Sequence, residues 1–223
     1  MIPCLRSVVL VLIAGLACVR LQAQSIRITV RAGDKELLSD STEVNTRVNG
    51  HITIRSVRFY LSDVRLVRSG AVVWRDSQPA HLIDLRDPAH AVLSFPEGLS
   101  CDSLYFRFGT DSLLNVSGAL GGDLDPAHGM YWAWNSGYIH CKIEGATERS
   151  NAPHHAIEYH LGGYLPPHAS SREVRLPAGN ELVLDLAEFL EAIKPAEQPA
   201  VNTPGLEAVR LCEVLARSFR MLP

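Results

Sequence analysis

The feature that most restricts how this chain can fold is a two-residue alternation of apolar and polar side chains, repeated in short runs. Ser25 to Arg31 sets Ile26, Ile28 and Val30 against Arg27, Thr29 and Arg31, the pattern of a strand with one face buried. From His51 the alternation returns through Ile52, Ile54, Val57, Phe59 and Leu61, slips at Ser62-Asp63, and resumes at Val64 and Leu66. A one-residue slip in a period of two marks a bulge or a tight bend. Ala71 to Trp74, His81 to Leu85 and Asp102 to Gly109 read as further strands, as do Ile157 to Leu161, Arg172 to Leu176 and Glu181 to Leu186. In Tyr138 to Glu144 the spacing puts Ile139, Cys141 and Ile143 on one face and Tyr138, His140, Lys142 and Glu144 on the other. Residues 33–50 are polar and read as loop. Ala187 to Ile193 adds a helical turn. Thr203 is placed to cap a last helix with Pro204 at its first position, and Ala208, Leu211, Cys212, Leu215 and Phe219 recur at helical spacing. Roughly eight to ten antiparallel strands with a C-terminal helix predict an all-β sandwich.

The first 23 residues stand apart from this pattern. Arg6 precedes an apolar run from Val8 to Ala17, and Leu21-Gln22-Ala23 offers a small residue for cleavage. That is the form of a secretory signal, and the run is short for a membrane span. The expected mature chain is one domain over residues 24–223, periplasmic or carried to the outer membrane or cell surface. Cys18 offers a lipid anchor as the alternative, although Gly15 stands where such signals prefer a larger aliphatic residue. Loss of the signal removes Arg6 and Arg20 and no acidic residue, leaving 19 basic against 24 acidic side chains. Such a balance excludes a general nucleic-acid-binding surface. Cys101, Cys141 and Cys212 remain, an odd number for an exported protein. One disulfide with a leftover thiol, or three buried small hydrophobes, would both account for them.

Aromatic residues make up only 7% of the chain, yet Tyr131, Trp132, Trp134 and Tyr138 fall within eight positions. A long loop rich in glycine and acid, Thr110 to Met130, leads into them; loops of this length are commonly functional. On a strand Trp132 and Trp134 would point the same way, either into the core or out as a stacking platform. Gly118-Ala-Leu-Gly-Gly122 is not a phosphate loop, Asn135-Ser136-Gly137 lacks the leading glycine of a nucleophile turn, and no His-Glu-x-x-His occurs.

Nine histidines are the next signal, since neutral imidazole binds copper, zinc, nickel and iron. His90, His168 and the pair His154-His155 read as loop residues. His140 shares a face with Lys142 and Glu144 and reads as solvent-facing. His160 sits mid-strand off the apolar face, and His81 opens a mostly apolar strand, so each needs a partner. His128 lies next to the aromatic run. Asp123 and Asp125 could contribute to a calcium site, but an Asx-turn in a glycine-rich loop explains them more simply.

Several strings together resemble one family. Gly-Asp-Leu-Asp-Pro (122–126), Gly-Met-Tyr-Trp-Ala-Trp-Asn-Ser-Gly-Tyr (129–138), Lys-Ile-Glu-Gly (142–145) and Tyr-His-Leu-Gly-Gly (159–163) look like the MbnP-like copper-binding proteins. Phe59-Tyr60-Leu61-Ser62, His81-Leu82-Ile83-Asp84 and Asn115 with Ser117-Gly118 agree with it. The resemblance implies an exported, non-enzymatic protein that binds one copper ion. It also implies a partner, a dihaem peroxidase of the MauG/MbnH type, that oxidises a tryptophan to kynurenine. Carried onto this chain, the resemblance makes Trp132 or Trp134 the candidate for modification, with Tyr131 and Tyr138 lining the site. His160 is the first candidate ligand and His81 the second; His128, His140, Asp123 and Asp125 are possible additions. At His140 the family pattern leads one to expect an aromatic or aliphatic residue. The competing function is a carbohydrate-binding or surface-adhesion module built on the aromatic cluster. A copper enzyme ranks third, because no substrate pocket is evident in the sequence.

Overall fold

A computed structural model describes residues 24–37, 41–87, 91–135 and 137–223 of the chain. The export-signal and lipid-anchor readings of residues 1–23, and His90, lie outside the described residues. In chain order the strands begin with β1 (Gln24–Ala32), β2 (Lys35–Glu36), β3 (Thr42–Thr46), β4 (Gly50–Arg68), β5 (Ala71–Arg75), β6 (Ala80–Asp84), β7 (Val92–Phe95) and β8 (Ser103–Phe108). A short helix α1 (Ser112–Val116) precedes β9 (Tyr131–Trp132), β10 (Gly137–Ala146), β11 (Ala156–Gly162), β12 (Arg172–Pro177) and β13 (Glu181–Asp185). Then come α2 (Ala187–Ala192), β14 (Ala200–Val201), α3 (Leu206–Arg217) and β15 (Phe219–Leu222).

The fold is all-β and sandwich-like, as the alternation implies. The larger sheet runs β12-β8-β4-β10-β11-β14, with β3, β5 and β6 also on β4 and β9 on β10. The smaller runs β15-β13-β1-β2, with β7 on β1. The main core lies between them, drawing Ile28 and Val30 from β1, Phe59 and Leu61 from β4, and Leu211 and Leu215 from α3. There are more strands than the sequence suggests, because β2 and β3 form within polar residues 33–50 and β15 follows the last helix. Two pairings are parallel rather than antiparallel, β1 with β13 and β11 with β14.

β4 is the spine of the larger sheet. At Arg58 and Phe59 it pairs β10 on one side and β6 on the other; at Arg65 to Val67 it pairs β8 and β5. The expected slip is present: the β8 register shifts between Ser62 and Arg65, and Asp63 adopts φ 49°. Aspartate tolerates this left-handed region better than most side chains.

Three local expectations are corrected. The strand β10 bulges at His140, since Ile139 pairs Gly162 and Cys141 pairs Leu161. The extra residue reverses the alternation, so Ile139 faces away from the main core that holds Cys141 and Ile143. His140 itself is 0% exposed rather than solvent-facing. Gly109, at φ 96°, makes the room: a Cβ there would lie 2.6 Å from His140 Cγ. Second, α3 begins after Gly205 with no side-chain cap, its first helical bond running from Val209 N–H to the Gly205 carbonyl. Thr203 is therefore outside the helix and exposed. Third, Phe219 is not a helical residue; it starts β15 opposite Leu184. Among the described residues Cys101, Cys141 and Cys212 are free thiols, with Cys141 and Cys212 buried in the main core, where burial pushes both pKa values up.

Phe219 packs edge-on against Phe106 at 5.1 Å, Phe108 at 5.4 Å and Phe59 at 6.0 Å between ring centroids. It thus ties β15 of one sheet to β4 and β8 of the other. Phe219→Ala should cost about 3–5 kcal/mol in urea unfolding, as for other buried phenylalanines. A loss below about 1 kcal/mol would mean that β15 does not close this core.

Candidate functional site

Behind the larger sheet, away from the main core, lies a second apolar cluster of Tyr60, Ala80, Leu82, Leu124, Met130, Trp132, Tyr138 and Ile139. The long glycine-rich and acidic segment covers it, folded as α1 and two 3-10 turns at Gly122–Leu124 and Pro126–His128. Polar bonds tie this cover down. Asn115 Oδ1 accepts from the Tyr138 N–H at 2.7 Å, and the Tyr138 hydroxyl accepts from the Leu120 N–H at 3.0 Å. The Tyr60 hydroxyl donates to the Asp123 carbonyl at 3.0 Å. Asp123 Oδ2 accepts from the Leu82 N–H and from Gln78, and Asp125 makes the expected Asx-turn with the Ala127 N–H. Both carboxylates thus serve the backbone. Burial raises the Tyr60 and Tyr138 pKa values, which keeps both phenols protonated as donors.

Beside this cluster the same face carries a charged row. The register aligns His160 of β11 with Lys142 of β10, Lys142 with Arg58 of β4, and Arg58 with Asp84 of β6. Glu144 is the hub. Its Oε1 lies 2.9 Å from His160 Nε2 and 3.3 Å from Lys142 Nζ, and its Oε2 4.0 Å from Arg58. The His160 bond first, then Lys142, holds the Glu144 pKa down to about 2 against the cost of burial. Arg58 donates to the His128 carbonyl at 2.6 Å, so the cover is stitched to the row. Burial, followed by the neighbouring Arg86, lowers the Arg58 pKa. The ring of His128 is exposed and donates from Nε2 to the Gly122 carbonyl at 3.1 Å.

Trp132 meets this row from the other direction. Gly162 shares the His160 face of β11, two residues on, and the six-membered ring of Trp132 occupies the space a side chain there would need, 2.8 Å from a Cβ position. Alternate residues on a strand lie about 7 Å apart, so indole and imidazole are neighbours. The two tryptophans do not share a strand face, because β9 ends at Trp132 and Trp134 lies in the following turn. Trp132 is 6% exposed and Trp134 64%. Their rings still meet, 5.8 Å apart and tilted by 43°. With Asn202 and Thr203 they border an open cavity of about 360 Å³. Tyr131 packs edge-on against Tyr138 at 5.0 Å, under the cover rather than in that cavity.

His81 is elsewhere. It pairs Leu61, a main-core residue, so its side chain leaves the opposite face from His160. The path from β6 through β4 and β10 to β11 is three strand spacings, about 14 Å. The pairing of His160 and His81 on one ion is therefore corrected: a metal ion cannot bridge opposite sheet faces at that separation. His81 Nε2 instead bonds Asp76 Oδ2 at 2.8 Å beside a polar cleft of about 320 Å³. His140 does not join the row either. Its Nδ1 lies 3.2 Å from Ser170 Oγ, and its Nε2 is buried without a partner among the described residues. Burial, with Arg107 and Arg172 adding to it, lowers its pKa to about 3. Among the described residues no three His, Cys, Asp or Glu side chains form a ready-made metal group.

Sequence reasoning singled out His160 and Trp132 but overlooked Glu144 as hub, Arg58 as stitch and Gly162 as the vacancy for the indole. Lys142-x-Glu144 facing His160, and the glycine pair closing β11, were the available signals.

A family model described as MbnP matches residues 22–204. No curated protein matches the chain. Among solved structures the chain is similar to MbnP from Methylosinus trichosporium, at 16% identity and a TM-score of 0.55, over 84% of this chain and 83% of that one. At that identity the likeness concerns the fold.

The buried His140 has a consequence for stability. Its folded pKa of about 3 lies below the ordinary 6.5, so only the unfolded chain takes up the proton in between. Stability from this residue is complete above pH 6.5 and falls as the pH drops towards 3. Glu144, lowered from 4.5 to about 2, adds to the loss only below about pH 4.5. Between these two onsets the wild type should lose up to about 1.4 kcal/mol per pH unit, and His140→Gln clearly less. Equal slopes in urea titrations of the two proteins would exclude His140 as the source.

Proposed function

The chain belongs to the MbnP family, whose model spans residues 22–204, and from that premise we propose that it is an exported copper-binding protein with no reaction of its own. Copper is held on the outer face of the large sheet, with His160 as its anchor. The observation that carries this reading is the seating of Trp132 over Gly162, next to His160 on one face. Imidazole nitrogen suits copper, which stands highest among the divalent first-row metals for such donors. The thiols of Cys141 and Cys212 belong to the main core on the other side of the sheet, and Met130 is the one soft side chain in the second cluster with Trp132. His160 supplies a single nitrogen, so further donors are required.

Trp132 is the candidate for one of these donors after oxidation by a MauG-like dihaem peroxidase. Two equivalents of hydrogen peroxide, consumed by the partner, would open the indole 2,3-bond with uptake of two oxygen atoms and release of two waters, and hydrolysis of the formyl group with loss of formate would leave an aromatic amine beside His160. Trp134, exposed and in tilted ring contact with Trp132, suits the contact through which electrons leave for the partner. No helix among the described residues is long and apolar enough to cross a membrane, and export rests on the signal form of residues 1–23. On this reading His81, which leaves the opposite face of the sheet, and His128, His140, Asp123 and Asp125, which do not belong to the charged row, are not ligands.

A specific observation favours a second reading. Trp134, Asn202 and Thr203 border an open cavity of about 360 Å³, the mix of aromatic shelf and polar edge that suits a sugar ring.

In protein made with its native partner, metal analysis after copper loading and dialysis should find one copper per chain in the wild type and in His81→Ala, and none in His160→Ala. Full copper in His160→Ala would overturn the assignment. Peptide mapping of protein made with its native partner should place a mass change on Trp132, and a change confined to Trp134 would reverse the two roles. Chelator-insensitive binding on a glycan array, lost in Trp134→Ala, would support the sugar reading instead.

A further inference from the structure

Two features of the charged row are left over once His160 is taken as a ligand: the hydrogen bond that already occupies its Nε2, and the direction from which that bond comes. Glu144 Oε1 lies 2.9 Å from Nε2. Lys142 at 3.3 Å and Arg58 at 4.0 Å surround the same carboxylate with positive charge, so it is ionised and can only accept. The proton of this bond therefore sits on Nε2. In a neutral imidazole that leaves the lone pair on Nδ1, which no described residue engages.

The direction follows from register. Glu144 faces Glu158, and Lys142 faces His160. Glu144 thus reaches His160 from the Glu158 side, whereas the Trp132 ring stands on the Gly162 side. Carboxylate and indole flank the imidazole from opposite ends of β11. The carboxylate is itself immobilised by Lys142, whose ammonium also reaches the Gly129 carbonyl at 3.5 Å, and so by the cover that Arg58 stitches down.

We propose that Glu144 is a positioning residue: it holds His160 in the Nε2–H tautomer and so makes Nδ1 the nitrogen offered to copper. This rests on the reading of His160 as a copper ligand. A carboxylate partner on the far nitrogen also raises the basicity of the near one, which strengthens the metal bond. The alternative geometry, copper between His160 Nε2 and Glu144, would require the present hydrogen bond to break and would make Glu144 a ligand.

The full chain, made with its oxidising partner and labelled with nitrogen-15 at histidine, tests both parts. In metal-free protein, at a pH well above the imidazole range, His160 should show a protonated Nε2 and a bare Nδ1. Glu144→Ala should give a mixture of tautomers, while Glu144→Gln, whose amide oxygen still accepts, should keep the Nε2–H form. Copper affinity, read by competition with a chromophoric chelator, should fall about ten- to a hundredfold in Glu144→Ala and largely recover in Glu144→Gln. An Nδ1–H tautomer in the metal-free wild type would overturn the proposal. So would equal loss of copper in the Gln and Ala variants, because an amide replaces a hydrogen-bond acceptor but not an anionic ligand. Failure of the wild type to bind copper, with the tautomer as stated, would overturn the copper reading on which the proposal rests.

Discussion

Much of this molecule depends on the pairing of one strand. β4 is 19 residues long and carries β10 and β8 along one edge and β3, β6 and β5 along the other. Because side chains on a strand alternate strictly, its register decides which residues of its neighbours share a face. Arg58 puts Lys142, His160 and Asp84 on the outer side; Phe59, one residue on, faces the main core with Cys141 and Ile83. A one-residue slip in either pairing would bury the charged row and expose the aromatic core, so the site and the fold are specified by the same hydrogen bonds.

The outer face is unusual in having a small core of its own. Tyr60, Leu82 and Tyr138 would leave an apolar patch on the sheet, and the segment before β9 covers it. That cover is held by polar anchors, Asn115, Asp123 and the two tyrosine hydroxyls, rather than by long elements. It ends at Trp132, whose ring needs the empty side of Gly162. The aromatic run is therefore neither a plug in the main core nor a free surface platform. One tryptophan is packed against the back of the sheet beside a histidine, and the other is open to solvent and touches the first.

The alternation in the sequence identified most strands, the bend at Ser62-Asp63 and the off-core position of His160, because these follow from period-two burial alone. It failed at His140, where one added residue reverses the faces, and the cause is the distant Gly109 that gives the ring its space. It failed at Phe219, where apolar spacing suited a helix but pairing with β13 took the chain into a strand. It misjudged Trp134, since a two-residue strand cannot impose alternation on the turn that follows.

From sequence alone came the fold class, the family strings, and the pairing of a histidine strand with a Trp-x-Trp run as the place to look. Periodicity and residue type carry those, and both are local properties. The tertiary structure decided what depends on distance: that His160 and His81 lie on opposite faces, that Glu144 holds His160, and that Trp132 rather than Trp134 stands next to it. These are relations between strands far apart in the chain, set by inter-strand register and by which glycines leave room, and no local pattern encodes them.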